Sequence, residues 1–267
     1  MGDCRIPYAS ATLARFQNPG DLVKPVELIA VGGGEALGLT ERRIYNLLIK
    51  NAFGPDLGVP GKRFSIPTGA LKQGIESNEQ LAEALIKLMR TIVQVRMSDG
   101  STERVQLLGW NSLTAGGRAY GVLRYSIPAE LAGYLNNSTL FARLEVEVIR
   151  AFTSKYALSL YEQVSQWVNL KHTASKDFTI DQFRDALGVP EGKLLTFSSL
   201  NQIVVKPAVL ELNALADFQV EVVPIKTGRK VSGLRVWWSF KDREGRTAAL
   251  GELQQPRAGR LARLRGR

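Results

Sequence analysis

One local grammar occurs twice along the chain: an amphipathic helix, a helix-turn-helix pattern, then strand-like segments. The later copy runs FTIDQFRDALGV, PEGKLLTF, SSLNQIVVKPAVLELN and FQVEVVPIKTGRKVSGLRVWW from residue 178. The earlier copy runs FSIPTGALKQGI, SNEQLAEALIKLMR, TIVQVRM and RVQLL over 64–108. The leading helices are LTERRIYNLLIKNAF and TSKYALSLYEQVSQWV. Thr40 to Phe64 is 24 residues and Thr153 to Phe178 is 25, so both copies keep nearly the same internal spacing. Such a duplication restricts the chain to tandem small α+β domains, an arrangement suited to gripping DNA over two adjacent groove segments.

Residues 1–20 read as an arm ending in the turn Asn18-Pro19-Gly20, and 21–31 as a strand. Gly32-Gly33-Gly34 lacks the GK[ST] of a phosphate loop and reads as a flexible turn. Thr40 is placed to cap a helix whose Ile44, Leu47, Leu48 and Ala52 share one face. Ser77 and Gln80 form a capping box for a helix over 78–90, with Leu81, Ala84, Leu85, Leu88 and Met89 at helical spacing. Strands are expected near 91–97, 103–108 and 120–127, with Asp99-Gly100 as a hairpin turn and Gly116-Gly117 in a loop. Pro128 suits the start of a short helix, 140–148 alternates like a strand, and one long helix near 150–169 is expected to join the halves.

In the second unit, Thr179 or Asp181 starts a helix that stops at Gly188-Val189-Pro190. Ser198 or Ser199 starts the next, which runs to Leu212 or Asn213 and carries Pro207, a residue that kinks a helix or deletes a backbone bond. Val220, Val222, Val231, Val236 and Trp238 supply a strand pair around Lys226-Thr227-Gly228-Arg229-Lys230. Four donor side chains flanking one glycine suit phosphates or a minor groove, and equally suit a solubilised hairpin tip. With Trp238 inward, Trp237 faces outward, as part of an interface or of the sheet's second face.

The net charge of +10 is concentrated at the end, where 241–267 hold eight Lys/Arg against three Asp/Glu. That basic tail reads either as a source of phosphate attraction or as a solvated end. The N-terminus lacks a signal-peptide pattern, and a lone Cys4 makes no internal disulfide, so a cytoplasmic location is expected. One histidine, His172, and one cysteine assemble no Cys/His metal cluster, and GVPGKR and GVPEGK lack the P-loop pattern. Tyr125, Tyr156 and Tyr161 are the remaining nucleophile candidates, with burial the expected role of the last two. A protein that is not an enzyme, with no cofactor and no membrane segment, is the expectation.

LVKPVELI, LTERRIYNLLIKNAF, LRYSIP, FTSKYALSLYE, FTIDQFRDALGVPEGKL and KPAVLELNALADFQVEVVPIKTGRKVSG, in that order, resemble the iteron-binding, Rep_3-type family of plasmid replication initiators. The resemblance covers about 21–240. It implies a winged-helix domain over 21–149 for dimerisation and DNA-backbone contacts and a sequence-reading winged-helix domain over 150–240, with the N-terminal arm over 1–20 and the basic tail over 241–267 lying outside it. Family members of this kind bind origin direct repeats (iterons), melt nearby A·T-rich DNA and recruit a host initiator and a helicase or its loader. They also repress their own gene as dimers on an inverted repeat. A plain dimeric winged-helix repressor is the alternative.

Carried onto this chain, the family's recognition segment spans Thr196 to Gln202 and continues to Lys206. Leu200, Ile203, Val204 and Leu212 are then expected in the core, and Ser198, Ser199, Asn201, Gln202 and Lys206 on the DNA. Relatives often carry Arg or Lys at the start of this helix, and Ser-Ser-Leu-Asn-Gln carries no charge. Either the repeat is A-rich or the charged contacts come from Lys193, Lys206 and the wing, where Lys226, Thr227, Arg229 and Lys230 are the candidates for DNA. In the first domain, Lys72, Ser77 and Asn78 are the equivalent candidates, with ordinary capping and solvation as the competing role.

Overall fold

The computed structural model describes residues 20–29, 37–57, 59, 61–72, 75–96, 101–114, 121–137, 141–170 and 172–266. Cys4, the Asn18-Pro19 part of the arm's turn, the triple glycine, the Asp99-Gly100 turn and Gly116-Gly117 lie outside them. The chain divides into two compact units at Val146/Glu147.

The first unit contains β1 (Asp21–Pro25), α1 (Leu39–Ala52), β2 (Phe64–Pro67), a single turn α2 (Thr68–Leu71), α3 (Asn78–Arg90), β3 (Ile92–Arg96), β4 (Thr102–Gln106), β5 (Asn111–Leu113), β6 (Val122–Tyr125), α4 (Ala129–Asn137) and β7 (Phe141–Glu145). Antiparallel pairs join β1 to β7 and β3 to β4, and a three-stranded sheet runs β2-β6-β5. The strand expected over 21–31 ends at Pro25, where a 3-10 turn over Val26–Leu28 takes over. Proline has no N–H to extend a ladder. The strand expected over 140–148 likewise turns helical at Val146.

Apolar spacing locates the core. Ile44, Leu47, Leu48 and Ala52 of α1 and Leu81, Ala84, Leu85 and Leu88 of α3 are all buried. Tyr125 ties the layers: its hydroxyl donates to the Leu48 carbonyl at 2.6 Å and accepts from Asn51 Nδ2 at 3.1 Å. Burial pushes this phenol well above its usual range, which makes it a structural residue. Thr40 does not cap α1. Gly38 occupies the cap position and makes no side-chain bond.

The second unit contains α5 (Val146–Ala151, whose first residue lies before the division), α6 (Lys155–Ser165), β8 (Ser175–Thr179), α7 (Ile180–Leu187), α8, β9 (Phe218–Thr227), β10 (Lys230–Phe240), α9 (Arg243–Leu253) and α10 (Arg260–Arg265). Helix α8 is α-helical over Phe197–Leu200, π-helical over Asn201–Val205 and α-helical again over Lys206–Leu215. The sheet runs β8-β10-β9, all antiparallel. Where one long helix was expected, the chain breaks between α5 and α6 at Phe152–Ser154. Ser154 caps α6 through its side chain, which accepts from Tyr156 N–H at 3.2 Å. The ring of Tyr161 stacks on Phe218 at 5.6 Å and tilts against Phe152 at 5.5 Å, so it belongs to the core.

The basic end of the chain is folded. Helices α9 and α10 pack against α8. Arg260 is 1% exposed, donates to Glu252 Oε1 at 3.1 Å and also bonds the Ala151 carbonyl. A charge this deep is kept only when paired and hydrogen-bonded, and this one is both.

Candidate nucleic-acid interface

Thr179 begins the helix-turn-helix with a complete capping box. Its side chain accepts from Gln182 N–H at 3.2 Å, and Gln182 Oε1 accepts from Thr179 N–H at 3.0 Å. Gly188 ends α7 in the left-handed region, at φ 68. The following turn is held by one side chain that the sequence pattern did not mark. Arg184 donates to the carbonyls of Leu194 at 2.8 Å and Pro190 at 3.4 Å, and also to that of Lys193. A planar guanidinium reaches several carbonyls at once. With the turn so held, Leu194 adopts φ 51, a left-handed conformation unusual for a residue with a γ-branched side chain.

The helix expected to begin at Ser198 or Ser199 begins at Phe197, because Thr196 is the cap. Its hydroxyl oxygen accepts from Ser199 N–H at 3.2 Å, and its proton goes to Ser199 Oγ at 2.8 Å. Ser198, Gln202 and Lys206 are exposed, Asn201 and Ser199 half-buried. One residue leaves the core where burial was expected: Ile203 is 57% exposed, while Val204 and Val205 are buried. The π-helical turn explains it. Lys206 N–H bonds the Asn201 carbonyl, five residues back. A π turn holds about 4.4 residues against 3.6, so each residue advances about 80° rather than 100°. From Leu200 the inward positions become Val204 and Val205, and Ile203 rotates outward. Pro207, one residue later, has no N–H and stands in the first turn of the renewed α-helix, where proline is tolerated best.

Behind this face, the helix is fixed to the sheet. Asn213 bonds both the N–H and the carbonyl of Val220, at 2.7 and 2.9 Å. Lys241 Nζ caps the helix end through the carbonyls of Asn213 and Ala216, at 2.6 and 2.7 Å. Strand β10 pairs with β9 from Lys230↔Thr227 outward, leaving Gly228 (φ 62) and Arg229 as the hairpin turn. Trp238 is buried and Trp237 is 42% exposed on the sheet's outer face. On that same face Arg235 donates twice to Asp177, both at 2.6 Å.

Charge is distributed unevenly. No Asp or Glu occurs over 192–210 or over 222–241. Lys193, Lys206, Lys226, Arg229 and Lys230 are exposed, and among the described residues none of their side chains enters an ion pair. Thr227 spends its hydroxyl proton on Ser232 Oγ at 2.9 Å and keeps only acceptor capacity. The fold thus brings the sequence-derived candidates onto two projections of one domain, the α8 face and the hairpin tip.

The first-unit candidates are arranged differently. Ser77 caps α3, accepting from Gln80 N–H at 3.2 Å, while Gln80 reaches back to Glu76 N–H rather than to Ser77. The Glu79 carboxyl is held below its usual range by its own backbone bond, by Ser77 and by Lys72. A carboxylate therefore already serves this helix N-terminus, which weakens it as a phosphate site. Lys72, Ser77 and Asn78 are half-buried.

Among the described residues no cluster of three or more His, Cys, Asp or Glu is placed to hold a metal, and no helix is long and apolar enough to cross a membrane. His172 is exposed.

Family models match in two blocks. Residues 21–165 match "Initiator Replication protein, WH1" and residues 179–237 match "Initiator Rep protein, WH2". A replication initiation protein of Escherichia coli is 26% identical over 156 residues, 58% of this chain and 47% of that protein. The chain thus spans about half the length of that relative. The crystal structure of the Pi initiator protein in complex with iteron DNA superposes with a TM-score of 0.65 at 16% identity, over 85% of this chain and 99% of that one. That likeness carries the fold: two tandem winged-helix domains.

Proposed function

The chain belongs to the initiator replication protein family, and from that premise we propose that it initiates plasmid replication by binding direct repeats at an origin. The single observation that carries this reading is the second winged helix. There an acid-free helix face (Ser198, Gln202, Lys206) and a cationic hairpin tip (Lys226, Arg229, Lys230) project from one rigid scaffold.

Each part has a distinct task. Phosphate contacts fix register and supply most of the salt-dependent affinity, and Lys193, Lys206, Arg229 and Lys230 are suited to them. Base edges in the major groove are read by hydrogen-bonding side chains. Gln202 is exposed on α8, and a carboxamide is the side-chain group that can bond adenine N6 and N7 together. Asn201, half-buried beside it, is a secondary reader, and Thr196 and Ser199 set the start of the helix. The first domain, 21–149, supplies backbone contacts and the surface for self-association. Melting follows from differential binding: contacts made only to deformed DNA offset an unstacking cost of about a few kcal/mol per step. The deformed segment is then available to a host initiator and to a helicase or its loader. No residue is assigned to catalysis, and the site of action is the plasmid DNA in the cytoplasm.

Footprinting on the DNA that flanks the reading frame tests this. Stepwise occupancy of evenly spaced direct repeats, with permanganate reactivity in adjacent A·T-rich DNA, is the expected result. A single dimer-sized footprint on an inverted repeat, without melting, would leave only a repressor.

A further inference from the structure

We propose that Ile203 is a base-reading residue whose side chain packs against the 5-methyl group of a thymine in the repeat; this deepens the DNA-binding reading above and rests on it. The observation is the reversal of burial within three consecutive residues. Ile203 is 57% exposed, Val204 1% and Val205 3%. A regular α-helix continued from Leu200 places residues three and four later on the inward face together, so Ile203 and Val204 would share the core. The π-helical turn breaks that pairing. It moves Val205 inward and carries Ile203 to the edge of the exposed face, beyond Ser199 and beside Gln202.

The surroundings fit a nucleobase better than solvent. An isoleucine left in water forfeits the burial that its apolar area offers. The acid-free stretch 192–210 keeps repulsion of phosphates away from it. Just before the helix cap, Leu195 is 80% exposed, so the segment presents two apolar side chains at opposite ends of a polar row. In the major groove, thymine alone presents a methyl group, and apolar side chains are its natural partners. Gln202, adjacent in sequence, is the adenine-type reader. Together the two side chains specify a step that contains A·T pairs, which answers how a helix start without arginine or lysine reads sequence.

The test is a thymine-to-deoxyuridine scan of the footprinted repeat, one position at a time, against the full-length wild type and Ile203→Ala. Deleting a buried methyl is worth about fourfold in affinity. The expected result is one thymine whose methyl loss weakens the wild type about fourfold and leaves Ile203→Ala unchanged, with Ile203→Val intermediate. An unshifted melting temperature confirms that the variant is folded. If uracil substitution and Ile203→Ala add independently at every position, the assignment is overturned, as it is if Ile203→Ala lowers only the cooperativity between neighbouring repeats. A flat scan with the Gln202-dependent preference intact removes Ile203 alone. Loss of all preference for the repeat over random duplex removes the DNA-reading premise itself.

Discussion

Glu211, on the rear of the helix that carries Gln202, accepts the backbone N–H of Thr153 at 2.6 Å and its hydroxyl at 2.7 Å. A third bond comes from Ser154 N–H at 3.1 Å. One fully buried carboxylate thus serves the start of α6 and anchors α8 from behind. Glu211→Ala is expected to destabilise the protein by about 2 kcal/mol, because it strips these donors of their acceptor. Thermal melting measures it, and Thr153→Ala in the same background is expected to add little.

The same residue sets a pH dependence. Burial raises the Glu211 carboxyl above its usual 4.5, against the bonds from Thr153 and Ser154 and the charge of Arg260. The folded state therefore holds this proton more tightly than the unfolded state does. Its contribution is complete below about pH 4.5 and is lost as pH rises through the raised value. Melting of wild type and Glu211→Gln across pH 4–7 isolates it. The wild type is expected to lose ground against the variant as pH rises.

Arg260 and Glu252 form a buried pair at 3.1 Å, with Arg263 adding a second contact to the same oxygen at 3.2 Å. Arg260→Ala leaves the buried Glu252 carboxylate with the more exposed Arg263 as its remaining partner and is expected to cost about 3 kcal/mol. Although burial pushes the Glu252 carboxyl up, the two arginines outweigh it and hold it below the usual range. That stabilisation is present above the usual carboxylate range and disappears as pH falls through the lowered value. Acid unfolding of Arg260→Ala is expected to be flatter over that window.

At the hairpin tip, replacing Arg229 and Lys230 with alanine is expected to weaken binding to all sequences alike. Each lost phosphate contact lowers the slope of log K against log salt by about 0.9. An unchanged slope removes the tip from the interface.

On the helix, Gln202→Ala is expected to cost about 1–3 kcal/mol on cognate repeats and to leave random duplex nearly unaffected. Equal losses on both would refute base reading by Gln202. Arg184→Lys is expected to weaken both kinds of binding, since an ammonium cannot span the carbonyls of Pro190 and Leu194 and the turn that aims α8 loosens.

Much of this was legible in one dimension, and the failures share a cause. The helix start at Thr179 or Asp181, the stop at Gly188 and the inward Trp238 are local or periodic features that spacing reaches, whereas the reciprocal capping box drawn for Ser77 and Gln80 closes instead at Thr179 and Gln182. Ile203 was misplaced because 3.6-residue spacing was carried through a segment that winds more slowly. The break at Phe152–Ser154 depends on Glu211, 57 residues away, and the folded tail on an arginine meeting the Ala151 carbonyl. Strand β8 completes a sheet whose other strands begin only at Phe218, beyond the whole helix-turn-helix. Such long-range bonds leave no trace in spacing. Neither did Arg184, whose role lies in three carbonyls that any sequence would supply.

Sequence reading by the second winged helix is decided by the salt-titrated affinity of the protein for a footprinted repeat and for random duplex of equal length. A sequence-reading winged helix predicts a preference of about 10³-fold or more at physiological salt, with similar salt slopes on the two duplexes. Equal affinity for the two, at every salt concentration, would contradict it.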